Sequence, residues 1–177
     1  NMKRKTKRRV GIFLVVAMLA VMIYPAFSTT AEEESDVCRS EERREEESAG
    51  FIIENGELTA YTGSGGDITI PDTVTGISDN VFSGNTSLTS VTIPGSVISI
   101  GSGAFSGCTN LYRAVVPASV VNIGNSVFAG CSSLSDLTFS ANVGVIPDMA
   151  FYGCASLSSV TIPGTVTSIG SRAFENC

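Results

Sequence analysis

Phe82, Phe105, Phe128, Phe151 and Phe174 recur every 23 residues without a slip. A period in the range of roughly 20–29 residues with spaced leucines marks a solenoid, in which each unit leaves its apolar face bare until a neighbour covers it. The other apolar positions keep the same interval. Leu88, Leu111, Leu134 and Leu157 form one series, and Ile77, Ile100, Ile123, Ile146 and Ile169 another. Cys108, Cys131, Cys154 and Cys177 form a third, with Asn85 in its first slot. Stacking is therefore obligatory for this chain.

Each repeat divides into strand, turn and return. In Leu88-Thr-Ser-Val91-Thr-Ile93-Pro94, Val91 and Ile93 alternate at the strand period, which points them inward and sends Ser90 and Thr92 outward. Pro94 cannot donate to a ladder and ends the strand. The turn that follows places Val97 and Ile100 inside. Ala104, Cys108 and Leu111 then fall at i, i+4 and i+7 beside Phe105, which predicts one short helical turn. Ahead of the array, Phe51–Tyr61 sets two apolar-rich runs around Asn55-Gly56, the strongest short hairpin signal. A hairpin there, within an N-terminal segment 51–67, is expected to cap the first rung of an array over residues 68–177. Cys177 falls sixteen residues into a repeat, so this reading expects further repeats beyond it.

The pattern L-x-x-V-x-I-P-x-S-V-x-x-I-G-x-x-A-F-x-x-C resembles the BspA-like leucine-rich repeat of secreted and surface-attached bacterial proteins. Leu88–Val97 and Ile100–Cys108 carry the likeness most closely, and Ile53–Gly56 with Gly65–Asp67 resembles the lead-in to such arrays. The resemblance implies a curved repeat solenoid of the α/β type, with a parallel sheet on its inner face and short helical turns outside. It also implies adhesion or host-protein binding, and it carries no catalytic residues to transfer. Three positions depart from the pattern. Ser96, Ser119 and Thr165, though not Asn142, depart where leucine-rich repeats favour Asn or Cys, Ala114 replaces an aliphatic strand residue, and Pro147 replaces the glycine of Gly101, Gly124 and Gly170.

Targeting is written at the start of the chain. Lys3, Arg4, Lys5, Lys7, Arg8 and Arg9 precede the apolar run Val10–Ile23, and small residues follow through Ala31. Such a triad is a secretory signal peptide over residues 1–31 and implies a secreted or cell-surface protein. The alternative is an uncleaved membrane anchor over Val10–Phe27. Residues 32–49 hold nine acids and three arginines, which reads as a disordered acidic linker reaching residue 50.

Charge and composition remove whole classes of function. With cleavage after Ala31, five arginines face 17 acids, a net charge of 5 − 17 = −12, without a lysine or histidine. Nucleic acid needs Lys and Arg to neutralise phosphates, so it is excluded as a partner. The absence of histidine from the whole chain removes Ser/His and Cys/His pairs and imidazole metal ligands, so no enzyme, cofactor or metal is expected. The acids Asp72, Asp79, Asp136, Asp148 and Glu175 are read as occupying different repeat positions and not converging. A cysteine ladder along an axis does not converge on a metal either. Free buried thiols and neighbour-to-neighbour disulfides both fit a rung spacing of about 4.8 Å.

Partner contacts are expected on the outward strand positions, along which solenoids bind. Three rows run across the sheet: Thr89, Tyr112, Ser135, Ser158; Ser90, Arg113, Asp136, Ser159; and Thr92, Val115, Thr138, Thr161. Tyr112, Arg113 and Asp136 interrupt a face of hydroxyls. Tyr and Arg are enriched in binding hot spots, which makes these three the candidate contact patch for an extracellular protein or glycan. The competing reading is that Arg113 and Asp136 only pair with each other, for about 0–1 kcal/mol. A passive spacer presenting a C-terminal domain, and a membrane-anchored receptor, are the alternatives to an adhesive module.

Overall fold

The computed structural model describes residues 50–177. The expected signal segment, the alternative anchor and, but for Gly50, the acidic linker lie outside the described residues. Eleven strands follow in chain order: β1 Phe51–Glu54, β2 Glu57–Tyr61, β3 Gly66–Thr69, β4 Gly76–Ile77, β5 Leu88–Thr92, β6 Ser99–Ile100, β7 Arg113–Val116, β8 Asn122–Ile123, β9 Asp136–Phe139, β10 Val145–Ile146 and β11 Ser168–Ile169. They build a β-solenoid with parallel sheets.

One wall is the four-stranded parallel sheet β3-β5-β7-β9. Its register pairs residues one repeat apart, as in Val91 with Ala114 and Ala114 with Leu137. Val91 and Ile93 are buried while Thr92 is exposed, as the strand alternation requires. No strand forms over residues 158–162, so Ser158, Ser159 and Thr161 continue the rows beyond the last strand of this sheet.

The expected helical turns do not form; the described residues contain no helix. Two left-handed residues per coil break that segment. One column is Asn80, Gly103, Ser126, Met149 and Arg172, with φ between 55° and 62°. The other, four residues on, is Gly84, Gly107, Gly130, Gly153 and Asn176. A right-handed helix cannot pass through such positions. Freed from a helix, the amides between them bond the next coil: Gly103 N to Asn125 O (2.8 Å), Phe105 N to Val127 O (2.9 Å) and Gly107 N to Ala129 O (2.7 Å). The predicted inward set survives the change of conformation, because Ala104, Phe105, Cys108 and Leu111 are all fully buried.

The third wall runs in the order β1-β2-β4-β6-β8, two-residue strands from β4 onward, with β10-β11 as a separate two-residue pair. Here each coil donates backward, from Gly101 N to Ile77 O (2.7 Å), Gly124 N to Ile100 O (2.8 Å) and Gly170 N to Ile146 O (2.7 Å). The equivalent donor toward Ile123 belongs to Pro147, which has no N–H. The sheet splits there, between β8 and β10. Glycine elsewhere in the column answers to space as well, since a Cβ on Gly101 would stand 2.5 Å from the backbone N and Oδ1 of Asp79.

The hairpin also departs from expectation. β1 and β2 pair antiparallel around Asn55-Gly56, but the pair does not lie as a cap over the sheet that β3 begins. β2 instead runs parallel to β4, matching Leu58 to Ile77, and so serves as a rung of the short-strand wall. The offset of 77 − 58 = 19 residues, four short of the period, hides this rung from a search at 23. Its side chains complete the column. Tyr61 rests 5.0 Å from Phe82, and Phe51 5.1 Å from Tyr61, both tilted.

From Phe82 onward the rings stack nearly parallel, with centroids 5.0, 5.2, 5.8 and 5.2 Å apart and interplanar angles of 5–11°. That spacing is the rung spacing of a β-ladder of about 4.8 Å, slightly stretched by the thickness of the rings. Phe128→Ala removes a ring held on both sides and is expected to cost about 3–5 kcal/mol, read as a lowered urea midpoint. Pro147→Ala supplies the missing amide. Its hydrogen exchange is expected to be slowed to the level of Gly124 and Gly170; exchange at the unprotected rate would show that the split has another cause.

Candidate functional site

The patch forms where the longer sheet's register carries it. Arg113 opens β7, Asp136 opens β9, and the two are register partners. Arg113 Nε lies 3.4 Å from Asp136 Oδ2, and both side chains remain more than half exposed (54% and 59%). Tyr112 precedes β7 and is the only exposed aromatic among the described residues. Its backbone is clamped between coils. Tyr112 N donates to Thr89 O (2.9 Å), while its carbonyl accepts from Ser135 N (3.1 Å) and Asp136 N (3.0 Å). Arg113 and Asp136 therefore meet across the two coils, and Tyr112, next to Arg113 in the chain, is exposed on backbone fixed from both sides. As a source of stability an ion pair this exposed is worth about 0–1 kcal/mol, so it leaves both charged groups open to solvent-side partners.

Around the patch the surface is almost uncharged. Thr69, Thr92, Thr138 and Thr161 are exposed along one row, and Thr89 Oγ1 donates to Asp67 Oδ1 at 2.8 Å at its N-terminal margin. Arg113 and Arg172 are the only cations among the described residues. Arg172 is committed to Glu175, at 3.4 Å within one turn.

A second place to look is a shallow depression of about 540 Å³ on the short-strand wall, edged by Glu57, Ser78, Asp79 and Ser99. Both of its carboxylates are occupied by the fold. Glu57 Oε1 accepts from Ser78 Oγ (2.9 Å), and Asp79 Oδ1 accepts from Ser102 N (2.6 Å). Asp148 repeats the second contact with Ser171 N at 2.7 Å. Asp79 and Asp148 stand 69 residues, three repeats, apart, so the reading that the acids occupy different repeat positions is corrected for this pair. They are rung clasps, and the arithmetic that shows it is in the sequence. Among the described residues, no three His, Cys, Asp or Glu side chains gather to hold a metal ion.

The four ladder cysteines are free thiols. Each thiol donates to the phenylalanine carbonyl of the preceding coil: Cys108 to Phe82 O (3.0 Å), Cys131 to Phe105 O (3.1 Å), Cys154 to Phe128 O (3.2 Å) and Cys177 to Phe151 O (3.2 Å). Spacing alone had left free thiols and disulfides both open, and a donor role toward the coil below was not legible in it. Burial pushes the thiols up from an ordinary 9.0, to about 11 for Cys108 and about 12 for Cys154, and it raises Cys131 further. Asn85, in the first slot, turns its Oδ1 to Ser87 N and Leu88 N instead.

A thiol bound to its proton more tightly in the folded state stabilises fully below pH 9, and that contribution is lost as pH rises through the folded value. Stability is thus expected to hold to about pH 9 and then fall toward pH 12, with a smaller alkaline loss in Cys154→Ala. Equal losses in the two proteins would refute this. In a Cys38→Ser background, Cys177, the one exposed ladder thiol, should react first with a thiol reagent.

The family described as BspA type leucine-rich repeat region matches residues 59–177, in six copies. That start falls within β2, just after Glu57 and Leu58, the residues that pair with β4. A leucine-rich repeat protein of T. pallidum (TpLRR) shares 36% identity and a TM-score of 0.66, over 68% of this chain and 59% of that one. The pneumococcal vaccine antigen PcpA shares 30% identity and a TM-score of 0.54, over 66% of this chain and 29% of its own. A leucine-rich repeat protein of Eubacterium ventriosum shares 25% identity and a TM-score of 0.50, over 72% and 50% of the two chains. The chain thus spans about three fifths of the T. pallidum protein and less of the other two. No curated protein matches it.

Proposed function

Because the chain belongs to the BspA-type leucine-rich repeat family, we propose that it is a binding module displayed outside a bacterial cell, engaging an extracellular protein or glycan through the outward face of its longer sheet. The observation that carries this reading is the clamped patch of Tyr112, Arg113 and Asp136, an exposed aromatic beside an exposed ion pair on an otherwise hydroxyl-covered wall. Tyr and Arg are enriched among the residues that dominate interface energies, and backbone already fixed lowers the cost of ordering them. The basic, apolar and small-residue order of residues 1–31 supports export. So does the kinship with a pneumococcal vaccine antigen, since an antigen of that use is reached from outside the cell. Binding rather than catalysis is supported by a chain without histidine, whose best-placed carboxylates clasp its own backbone.

A spacer role has one observation in its favour, the Ser and Thr cover of the same wall. Binding to a panel of matrix proteins and glycans separates the two. A binder is expected to lose about 30-fold in affinity or more with Tyr112→Ala, and by a similar factor with Arg113→Ala, as hot-spot losses of about 2 kcal/mol would give. Undiminished binding by both variants moves the site off this wall, and no binding by folded protein favours the spacer.

A further inference from the structure

We infer that the patch takes a neutral saccharide, with the Tyr112 ring as the platform for a sugar face and Asp136 with Arg113 as the acceptor and donor for its hydroxyls. The inference rests on the binding reading above and narrows it to one ligand chemistry. The described residues offer only Arg113 and Arg172 as cations, and each faces a carboxylate, at 3.4 Å in both cases. A polyanion such as a sulfated glycan gains its affinity from several unpaired cations, which this wall does not have.

The side chains flanking Tyr112 in its row are Thr89, Ser135 and Ser158, and the exposed threonines at 69, 92 and 138 run alongside. Hydroxyls give and accept hydrogen bonds with equal ease. They suit a ligand that is itself a lattice of hydroxyls, and they do not suit the apolar centre that a protein partner brings to an interface. Arg113 and Asp136 side by side present donors next to acceptors, which matches two adjacent hydroxyl groups, and ionic partners make those hydrogen bonds stronger than neutral ones.

Tyr112 is 45% exposed although every Phe of the repeat column from Phe82 to Phe151 is buried. Its ring supplies a flat apolar face with a polar edge. Inter-coil hydrogen bonds on both sides of its backbone fix the platform before any ligand arrives.

The test is affinity electrophoresis of the exported form, residues 32–177, in gels containing dextran, a β-1,3-glucan or a mannan, with dextran sulfate as the charged counterpart. At least one neutral polymer is expected to retard the wild type, with dextran sulfate giving none. Tyr112→Ala should weaken retardation more than tenfold, Tyr112→Phe should keep it, and Asp136→Asn should weaken it. Ile98→Ser, a change at an exposed apolar residue in another row, should leave it unchanged, and circular dichroism checks each fold. Retardation that survives Tyr112→Ala, or that appears only with dextran sulfate, overturns the inference. If no neutral polymer binds while an immobilised matrix protein still binds through Tyr112, the saccharide falls and the binding module stands. If nothing binds, both fall.

Discussion

Among the described residues the strands and the turn column bond from coil to coil, while only short turns such as Cys108 N to Phe105 O and Leu111 N to Cys108 O close within a coil, and the rest of the fold is arranged around that. No described segment satisfies its own amides as a helix does. Phe82, Phe105, Phe128 and Phe151 each donate their N–H one coil onward, at 2.8–2.9 Å. The short strands donate one coil back, and the longer strands exchange bonds in both directions. From β4 onward a chain held in this way keeps its coil lengths equal, since a strand slipped by one residue would turn its inward side chains outward. The strict 23-residue interval, the ring stack at 5.0–5.8 Å and the thiol-to-carbonyl contacts all follow from keeping the coils in step.

That dependence explains what the sequence discloses and what it conceals. Periodicity reports which side chains face inward, and Val91, Ile93, Val97, Ile100, Phe105 and Leu111 are buried as expected. It does not report backbone conformation. The spacing of Ala104, Cys108 and Leu111 imitates a helical face, while the left-handed residues at 103 and 107 forbid the helix. Gly107 repeats as Gly84, Gly130 and Gly153, and that column was the available warning. The β2 rung was hidden for a different reason. It meets β4 through a shortened coil, so only its pairing and the aromatic at Tyr61 reveal it.

The candidate site was more legible than the turns, because it depends on register alone. Residues 23 apart on a parallel sheet become neighbours, so Arg113 and Asp136 had to meet once the strands formed. Proximity was predictable. The double clamp on the carbonyl of Tyr112 was not, since no side chain encodes it. A surface built in this way separates recognition from folding. The inward positions keep the coils in step, and the outward ones are free to carry whatever contacts a partner requires.

Pro147 gives the stack a directional weakness. At the boundary it marks, the longer sheet still joins β7 to β9, and the turn wall still donates from Ser126, Phe128 and Gly130 to the following coil. Only the short-strand wall is unlinked. Two walls fastened and one open make a hinge with a fixed axis, stiff against sliding and against bending toward the fastened sides. Under a pulling load this seam is expected to open on the short-strand side while the pairing of β7 with β9 holds.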